Sequence, residues 1–319
     1  MGSSNLQGAA RRQVLGAIGA CIIFLILCIK FRDWSPSPPE ATVAVQKTER
    51  IPHKIWQIFF GYSPLNELAG MAMTWPLKNE DYAYTLISAD GAERFARKYY
   101  SDRPDVLQTF LDIGVPVLRS DLLRYMVLEM EGGYYSDLDT TLIKPIRDWV
   151  PSSLQDEVRA IVGIEYDQGD RKPWFDTKES LMFCQWTMAS VPGHPIMSGA
   201  VSSVVEALKN SAKKNQTIVS QYRPSDDDVL EISGPRMFSK AVFNTIAKAT
   251  GTNFNHLNIT GITEPVLFGD ILILPINGFG SGQEHSNSWL GEGEAPGGLV
   301  RHAFKGSWKH GWPGSWTHE

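Results

Sequence analysis

The apolar positions along the chain follow two spacings, and the alternation between them predicts alternating strands and helices. Short runs rich in β-branched and aromatic residues indicate strands, and apolar residues that recur every three or four positions indicate helices. The predicted strands cover 51–60, 81–88, 134–135, 160–165 and 271–274, and the predicted helices cover 89–100, 104–111, 118–130, 196–210 and 235–249. This alternation favours an α/β fold with a largely parallel sheet flanked by helices.

The stretch 131–140, EGGYYSDLDT, joins a predicted helix to a predicted strand and then to two acids. Gly132 and Gly133 supply the left-handed stop that is typical of a helix end. Side chains alternate along an extended chain, so we expect Asp137 and Asp139 on one face while Leu138 turns to the core. Two ionised carboxylates side by side repel each other, and a divalent cation relieves that repulsion. The pattern predicts a metal site.

A polar turn after an edge strand is the alternative interpretation of these two acids. An Asp-x-Asp triplet is common, and on its own it favours that interpretation. An apolar helix, two glycines and an aromatic strand precede this triplet, and α/β proteins place ligand groups at the carboxyl ends of such strands. In this context we expect the metal site.

The amino-terminal residues have a different pattern from the rest of the chain. Residues 14–29 form an apolar run without charge, preceded by Arg11 and Arg12. At ~1.5 Å rise per helical residue, the run comes close to the ~30 Å thickness of a bilayer core. A cleaved signal peptide is the alternative, but the run does not end in a small-x-small site. We expect an uncleaved anchor with a cytoplasmic amino terminus, so that the remainder lies in a lumen.

These features divide the chain into a tail (1–13), a transmembrane signal anchor (14–29), a proline-containing stem (30–50) and one folded domain (51–319). The 319 residues are 43% hydrophobic and 20% charged, which suits a domain of this size. The net charge of -5, without a long basic block, argues against a general nucleic-acid binder. Cys184 is the only cysteine after the anchor, so the folded domain has no internal disulfide.

Three further side chains could take part in chemistry. Asp121 and Arg124 are three residues apart on the helix that leads to the acids, and a surface salt bridge is the plain interpretation of this pair. If the cleft binds a phosphorylated donor, Arg124 can offset phosphate charge and Asp121 can accept hydrogen bonds from sugar hydroxyls. His302 is either an ordinary histidine or a nitrogen ligand beside the two aspartates, a mixture compatible with Mn²⁺. The acidic run 226–228 follows a proline and a serine, and we expect it in a solvated loop.

Seven segments of the chain, in this order, resemble the fungal Golgi initiation-specific α-1,6-mannosyltransferases, members of the DXD-containing glycosyltransferase family 32. Each segment alone is a weak signal, whereas seven in order are a strong one. They are IPHKIWQ at 51–57, SDLLRY at 120–125, GGYYSDLD at 132–139, CQWT at 184–187, PGHP at 192–195, GPRMF at 234–238 and HAFKGSW at 302–308.

The resemblance implies a GT-A-like, Rossmann-like catalytic domain over 51–319 in a single-pass type II protein of the Golgi membrane, with the catalytic domain lumenal. It also implies GDP-mannose as the donor, Mn²⁺ as the cofactor, retention of anomeric configuration and an N-glycan as the acceptor. Other Golgi transferases are then candidate partners, and no nucleic acid is expected.

By position, the resemblance also implies roles for individual residues. Asp137 and Asp139 match the DXD acids, with Asp139 nearer the metal and His302 as a further ligand. The donor is expected to contact Asp121, Arg124, Asp137, Ser307 and Trp308, while Gln185 and Trp186 are expected near the acceptor. Asp137, Asp139 and Arg124 are the expected catalytic residues, since the metal and Arg124 together stabilise the departing diphosphate.

Four alternatives remain at this point. A glycoside hydrolase could use the two acids, but it needs carboxyls ~5 to 9.5 Å apart on opposite sides of the scissile bond, and side-by-side acids do not favour this. A membrane-tethered lectin could bind sugar through a metal and aromatic side chains. Within the transferases, the chain could mannosylate inositol phosphorylceramide, or it could transfer a sugar other than mannose.

Overall fold

The computed structural model describes residues 50–61, 65–172, 178–283 and 286–306. The predicted tail, the predicted anchor at 14–29 and all but the last residue of the predicted stem lie outside this part of the chain. Ser307 and Trp308 also lie outside the described residues. Within the described ranges, no helix has both the length and the apolar character that a membrane span requires.

In the described ranges, seven strands form the main sheet and two short strands form a separate ribbon. The sheet contains β1 (Lys54–Ile58), β2 (Ala83–Ile87), β3 (Gly133–Ser136), β5 (Ala160–Asp167), β6 (Leu181–Ser190), β7 (Val266–Phe268) and β8 (Ile271–Leu274). The ribbon pairs β4 (Thr140–Leu142) with β9 (Val300–His302) in antiparallel register. The order across the main sheet is β2-β1-β3-β6-β5-β8-β7, so the strand that leads to the acids lies near its middle.

The main sheet is mixed, which confirms only in part the prediction of a largely parallel sheet. Strands β1, β2, β3, β5 and β8 share one direction, while β6 and β7 run antiparallel to their neighbours. β6 follows β5 in the chain and pairs with it antiparallel, an arrangement that does not require a crossover connection. β6 therefore runs back past the carboxyl end of β3, where the two acids lie.

Nine helices are present in the described part of the chain, and each predicted helix is among them. They are α1 (Leu65–Ala72), α2 (Thr74–Lys78), α3 (Ala89–Tyr99), α4 (Pro104–Asp112), α5 (Pro116–Glu131), α6 (Pro195–Lys214), α7 (Asp226–Ile232), α8 (Pro235–Thr250) and α9 (Ile276–Phe279). A proline in the first turn begins α4, α5, α6 and α8, where its missing N–H costs least.

The acidic run 226–228 is not the solvated loop that the sequence predicted. It forms the first turn of α7, where Ser225 accepts a hydrogen bond from the Asp228 amide and the Asp228 side chain accepts from the Ser225 amide. This capping box, together with the favourable position of negative charge at a helix start, explains the helix.

Apolar side chains cover both faces of the sheet. Ala160 and Val162 of β5 belong to the larger core, with α5, α6 and α8, whereas Ile161 between them packs in a second core with Trp149. α5 is buried along nearly its whole length, and this includes the polar residues Asp121 and Arg124. Charged side chains that are buried in the protein core need hydrogen-bond or ion-pair partners within the protein. The partners of Asp121 and Arg124 belong to the candidate active site.

Candidate active site

The turn from α5 into β3 is fixed by two glycines. Gly132 and Gly133 have φ values of 62° and 104°, which residues other than glycine rarely adopt. A Cβ on Gly133 would lie 2.6 Å from the Lys54 carbonyl oxygen, so β1 could not pack where it does. The Trp56 indole nitrogen donates to the Gly132 carbonyl oxygen at 2.8 Å. The predicted helix stop is confirmed, and the turn places β3 beside β1.

Asp137 and Asp139 lie in a turn beyond β3, and this corrects the expectation that they share one face of an extended strand. The Thr140 amide donates to the Asp137 carbonyl oxygen at 3.3 Å and closes the turn. Leu138 is buried as predicted. The two carboxylates therefore come together through the reversal of the chain rather than through strand alternation.

Buried polar side chains hold this turn in place. The Gln57 amide nitrogen donates to the Asp137 carbonyl oxygen at 3.1 Å, and the Thr140 hydroxyl donates to the same oxygen at 2.6 Å. The Trp75 indole donates to the Thr140 hydroxyl oxygen at 3.0 Å. Ser136 lies within 2.8 Å of the same hydroxyl. The backbone between the acids is thus positioned by the protein itself.

His302 joins the two acids because β9 pairs with β4. Thr140 lies opposite His302 in the ribbon, and this places His302 Nε2 3.1 Å from Asp139 Oδ1. The Lys305 amide donates to Asp139 Oδ2 at 3.1 Å. One potential ligand atom from each of Asp137, Asp139 and His302 lies within 4.8 Å of the others. The three residues predicted as metal ligands therefore form one cluster.

Aromatic rings hold the His302 imidazole. Trp186 stacks on it with the ring centroids 4.7 Å apart and the planes 22° from parallel. Phe304 meets the imidazole edge-on, with the centroids 4.2 Å apart. Trp186, predicted near the acceptor, thus lies against a metal-ligand candidate. Its contact with an acceptor remains a prediction.

The two acids titrate differently because their surroundings differ. Burial raises the pKa of Asp137, and the Asp139 charge adds to that rise against the pull of Arg124. Burial also acts upward on Asp139, but hydrogen bonding to His302, the His302 charge and the Lys305 amide outweigh it, so the pKa of Asp139 is lowered. The cluster therefore combines an ionised carboxylate, a carboxyl that resists ionisation and an imidazole.

Arg124 lies behind the cluster and is not part of a surface salt bridge, so that interpretation of the pair is wrong. Its Nη2 lies 2.8 Å from Asp121 Oδ1 and 3.4 Å from Asp137 Oδ1, and the Arg124 and Asp121 side chains are only 6% and 2% exposed. The Tyr135 hydroxyl donates to Asp137 Oδ1. Asp137 Oδ2 makes no hydrogen bond within the described ranges, which leaves this oxygen for a ligand.

The sequence did not predict the residues that surround Asp121. The Ser233 hydroxyl donates to Asp121 Oδ2 at 2.6 Å, and the Tyr125 hydroxyl lies 2.6 Å from Gln185 Oε1. The Gln185 backbone oxygen accepts from Arg124 Nη1 at 3.1 Å. Gln185, predicted near the acceptor, therefore contacts the Asp121–Arg124 pair. No spacing in the sequence links positions so far apart.

Comparison with known proteins gives this geometry a context. Residues 66–159 match the family described as a glycosyltransferase sugar-binding region containing a DXD motif, and this span includes Asp121, Arg124, Asp137 and Asp139. Over this span the chain is similar to DXD-containing glycosyltransferases. The Asp-x-Asp turn at 137–139 lies inside the matched span.

Two relatives are similar to this chain over a longer stretch than residues 66–159. The initiation-specific alpha-1,6-mannosyltransferase of Schizosaccharomyces pombe is 33% identical over 267 residues, covering 81% of this chain and 64% of that protein. The protein of the same name from Candida albicans is 30% identical over 254 residues, covering 74% of this chain and 65% of that protein. The resemblance predicted from the seven segments is confirmed. The chain spans slightly less than two thirds of the length of these relatives.

Among solved structures, mouse xyloside xylosyltransferase 1 in its apo form superposes with a TM-score of 0.40 at 10% identity, covering 81% of this chain and 99% of that chain.

Proposed function

We propose that this chain is a metal-dependent retaining mannosyltransferase that transfers mannose from GDP-mannose to an N-glycan in α-1,6 linkage. The observation that carries the proposal is the convergence of Asp137, Asp139 and His302, with Arg124 behind them, inside a DXD region. The names of the two relatives support mannose and the α-1,6 linkage. With the anchor expected at 14–29, we place the enzyme in the Golgi membrane with a GT-A-like lumenal domain.

The residues of the cluster fit a divalent metal. Two carboxylates and an imidazole form a donor set that suits Mn²⁺. The imidazole nitrogen that faces Asp139 is His302 Nε2. The other nitrogen, Nδ1, is buried and has no hydrogen-bond partner in the part of the chain that the structure describes. Asp137, Asp139 and His302 would hold Mn²⁺, which when bound supplies positive charge to the donor diphosphate.

The chain's own side chains then perform three tasks. Asp121 holds the guanidinium of Arg124, and Arg124 offsets the negative charge that accumulates next to Asp137. Trp186 keeps the His302 ring in place. The bond from the sugar to the diphosphate breaks as the acceptor hydroxyl attacks from the same face, and the hydroxyl proton passes to the departing diphosphate oxygen. This route gives retention and needs no protein base.

The arrangement does not favour hydrolysis. The ligand atoms of Asp137 and Asp139 lie within 4.8 Å of each other in one turn, whereas a hydrolase needs its two carboxyls on opposite sides of the scissile bond. A lectin would share the metal cluster but would leave GDP-mannose intact. The hydrolase and the lectin are therefore separated by their response to chelation and by turnover of the donor.

The direct test is a donor and acceptor screen with the purified full-length protein in detergent. We expect mannose transfer from GDP-mannose to an N-glycan with Mn²⁺, loss of transfer in EDTA and recovery when Mn²⁺ is restored. Transfer to inositol phosphorylceramide, or from another nucleotide sugar, would identify one of the alternative transferases. Glycan hydrolysis that survives EDTA would contradict the proposal.

Asp121 makes the activity sensitive to pH. Burial raises its pKa to about 6, against the pull of Arg124 and of the hydrogen bonds from Ser233 and Gln185, while the Asp137 charge adds to the rise. Only ionised Asp121 pairs with Arg124, so kcat/KM should fall as the pH falls through about 6. A kcat/KM profile checks this, and Asp121→Asn should be less active and lack that acid limb.

The Asp121 carboxyl also makes the folding stability depend on pH, but in the direction opposite to that of the activity. The pKa of Asp121 in the folded protein lies above its unfolded value of 3.8, so its contribution to stability is present at low pH and is lost as the pH rises towards 6. Urea unfolding of wild type and Asp121→Asn between pH 4 and 7 should show a difference that changes in this window. A constant difference would mean that Asp121 titrates normally.

A further inference from the structure

A chain of buried hydrogen bonds leads from the junction of α7 and α8 to the metal cluster. Ser233, between these helices, has no exposed surface, and its hydroxyl donates to Asp121 Oδ2 at 2.6 Å. The other oxygen, Asp121 Oδ1, lies 2.8 Å from Arg124 Nη2. The same Nη2 lies 3.4 Å from Asp137 Oδ1. One hydroxyl is thus connected to a predicted metal ligand through two charged side chains.

Ser233 also makes a second contact with the site. Its carbonyl oxygen lies 2.8 Å from the Tyr125 hydroxyl, which lies 2.6 Å from Gln185 Oε1. The junction itself is tightly packed, since a Cβ on Gly234 would lie 2.7 Å from the Leu230 Cα. The Ser233 hydroxyl is therefore held in one place, at the point where two branches of the network meet.

The energetic reason for such a contact is the burial of Asp121. A buried carboxylate needs a donor for each oxygen, and the loss of a donor leaves that oxygen without compensation. Arg124 pairs with Oδ1, Ser233 donates to Oδ2, and the Gln185 side chain also hydrogen-bonds to Asp121, so the carboxylate is fixed in both position and rotation. Without Ser233 the carboxylate keeps Arg124 and Gln185 but loses the donor to Oδ2, so it can rotate about its bond to the helix and carry the Arg124 guanidinium away from Asp137.

We propose that Ser233 is a positioning residue for the sugar-transfer reaction, acting through Asp121 to hold Arg124 against Asp137. This inference rests on the proposed function, and the metal-ligand set is unchanged by it. Within the described ranges, Ser233 makes no hydrogen bond to Asp137, Asp139 or His302. Its effect on the reaction passes entirely through Asp121.

Ser233→Ala in the full-length protein tests the proposal. A hydrogen bond to a buried charged group is strong, so kcat/KM for GDP-mannose should fall by about tenfold to a hundredfold. The matched control is Ser190→Ala. Ser190 is as fully buried, and its hydroxyl has no hydrogen-bond partner among the residues described, so this control should stay within about twofold of wild type.

A double-mutant cycle with Asp121→Asn separates positioning from general destabilisation. If Ser233 acts through Asp121, Ser233→Ala should change kcat/KM by no more than about twofold in the Asp121→Asn background. Equal losses in both backgrounds, or wild-type activity of Ser233→Ala, would overturn the proposal. The same cycle measured by urea unfolding of the metal-free protein supplies a readout independent of activity, where the two substitutions should again be non-additive.

The failure of this inference is distinguishable from failure of the proposed function. If wild type transfers no sugar under any donor and metal condition, the proposed function fails before Ser233 is tested. If wild type transfers mannose and Ser233→Ala behaves like Ser190→Ala, only the role of Ser233 is wrong.

Discussion

Asp139→Ala is expected to lower sugar transfer by about 10²- to 10³-fold with Mn²⁺ present. The substitution removes the carboxylate that lies 3.1 Å from His302 Nε2 and shares the cluster with Asp137. The remaining carboxyl is that of Asp137, whose pKa burial raises, so its ionised, metal-binding form is disfavoured relative to that of Asp139. Steady-state kinetics over a range of Mn²⁺ concentrations measures the loss and shows whether excess metal recovers part of it.

Two companion variants make that loss interpretable. Asp139→Asn keeps the shape of the side chain but not its charge, and it should lose nearly as much activity. Asp156→Ala removes an exposed carboxylate that pairs with Arg50 at the surface, and it should retain wild-type activity. Near-normal transfer by Asp139→Ala, without a shift in Mn²⁺ dependence, would remove the metal role from this residue.

Arg124→Ala is expected to reduce the free energy of unfolding by about 3–5 kcal/mol at neutral pH. Arg124 is buried between Asp121 and Asp137, and its removal leaves the buried Asp121 and the partly exposed Asp137 without their counter-charge. The same side chain makes the hydrogen bond to the Gln185 backbone oxygen, which also loses its donor. Urea unfolding followed by circular dichroism measures the change.

The matched control for this prediction is Arg97→Ala. Arg97 pairs with Glu93 on the exposed side of α3, and such pairs contribute ~0.5 kcal/mol or less. The loss in Arg124→Ala should also shrink near pH 5, because Asp121, with a pKa of about 6, then carries a proton and needs no counter-charge. Equal and small losses for the two arginine variants would show that Arg124 is not buried against the acids.

Much of the fold followed from local signals. The helix at 118–130 was predicted from its apolar spacing and its glycine stop, and α5 ends at Glu131 before two glycines with positive φ. The prolines in the first turns of helices and the β-branched run that forms β1 likewise predicted these elements from neighbouring residues. These features depend on residues close together in the sequence, so a single chain contains enough information to predict them.

Features that depend on tertiary packing were harder to predict. β6 is buried at nine of its ten positions, so it lacks the alternation that would have revealed a strand or its direction. The acids lie in a turn because Thr140 closes it, and the acidic run of α7 forms a helix because Ser225 caps it. In both cases a few local hydrogen bonds decided between two conformations that the sequence allowed.

The site shows the same division. Asp137 and Asp139 were evident as a pair, but His302 is brought to them from a distant segment by the pairing of β4 with β9. The sequence suggested His302 as a ligand through its residue type and then through the resemblance, but no spacing linked it to the acids. Ser233 and Gln57 gave no signal at all, because a serine or glutamine that holds a carboxylate or a carbonyl looks like any other buried polar residue.

The central claim is that Asp137, Asp139 and His302 bind a divalent cation that contacts the donor diphosphate. Anomalous diffraction at the manganese edge, from crystals grown with Mn²⁺ and GDP, tests it most directly. The account predicts one peak within coordination distance of Asp139, Asp137 and His302 Nε2 and in contact with the diphosphate. GDP bound with no anomalous peak at these side chains, and with Asp139 still paired to His302, would contradict it.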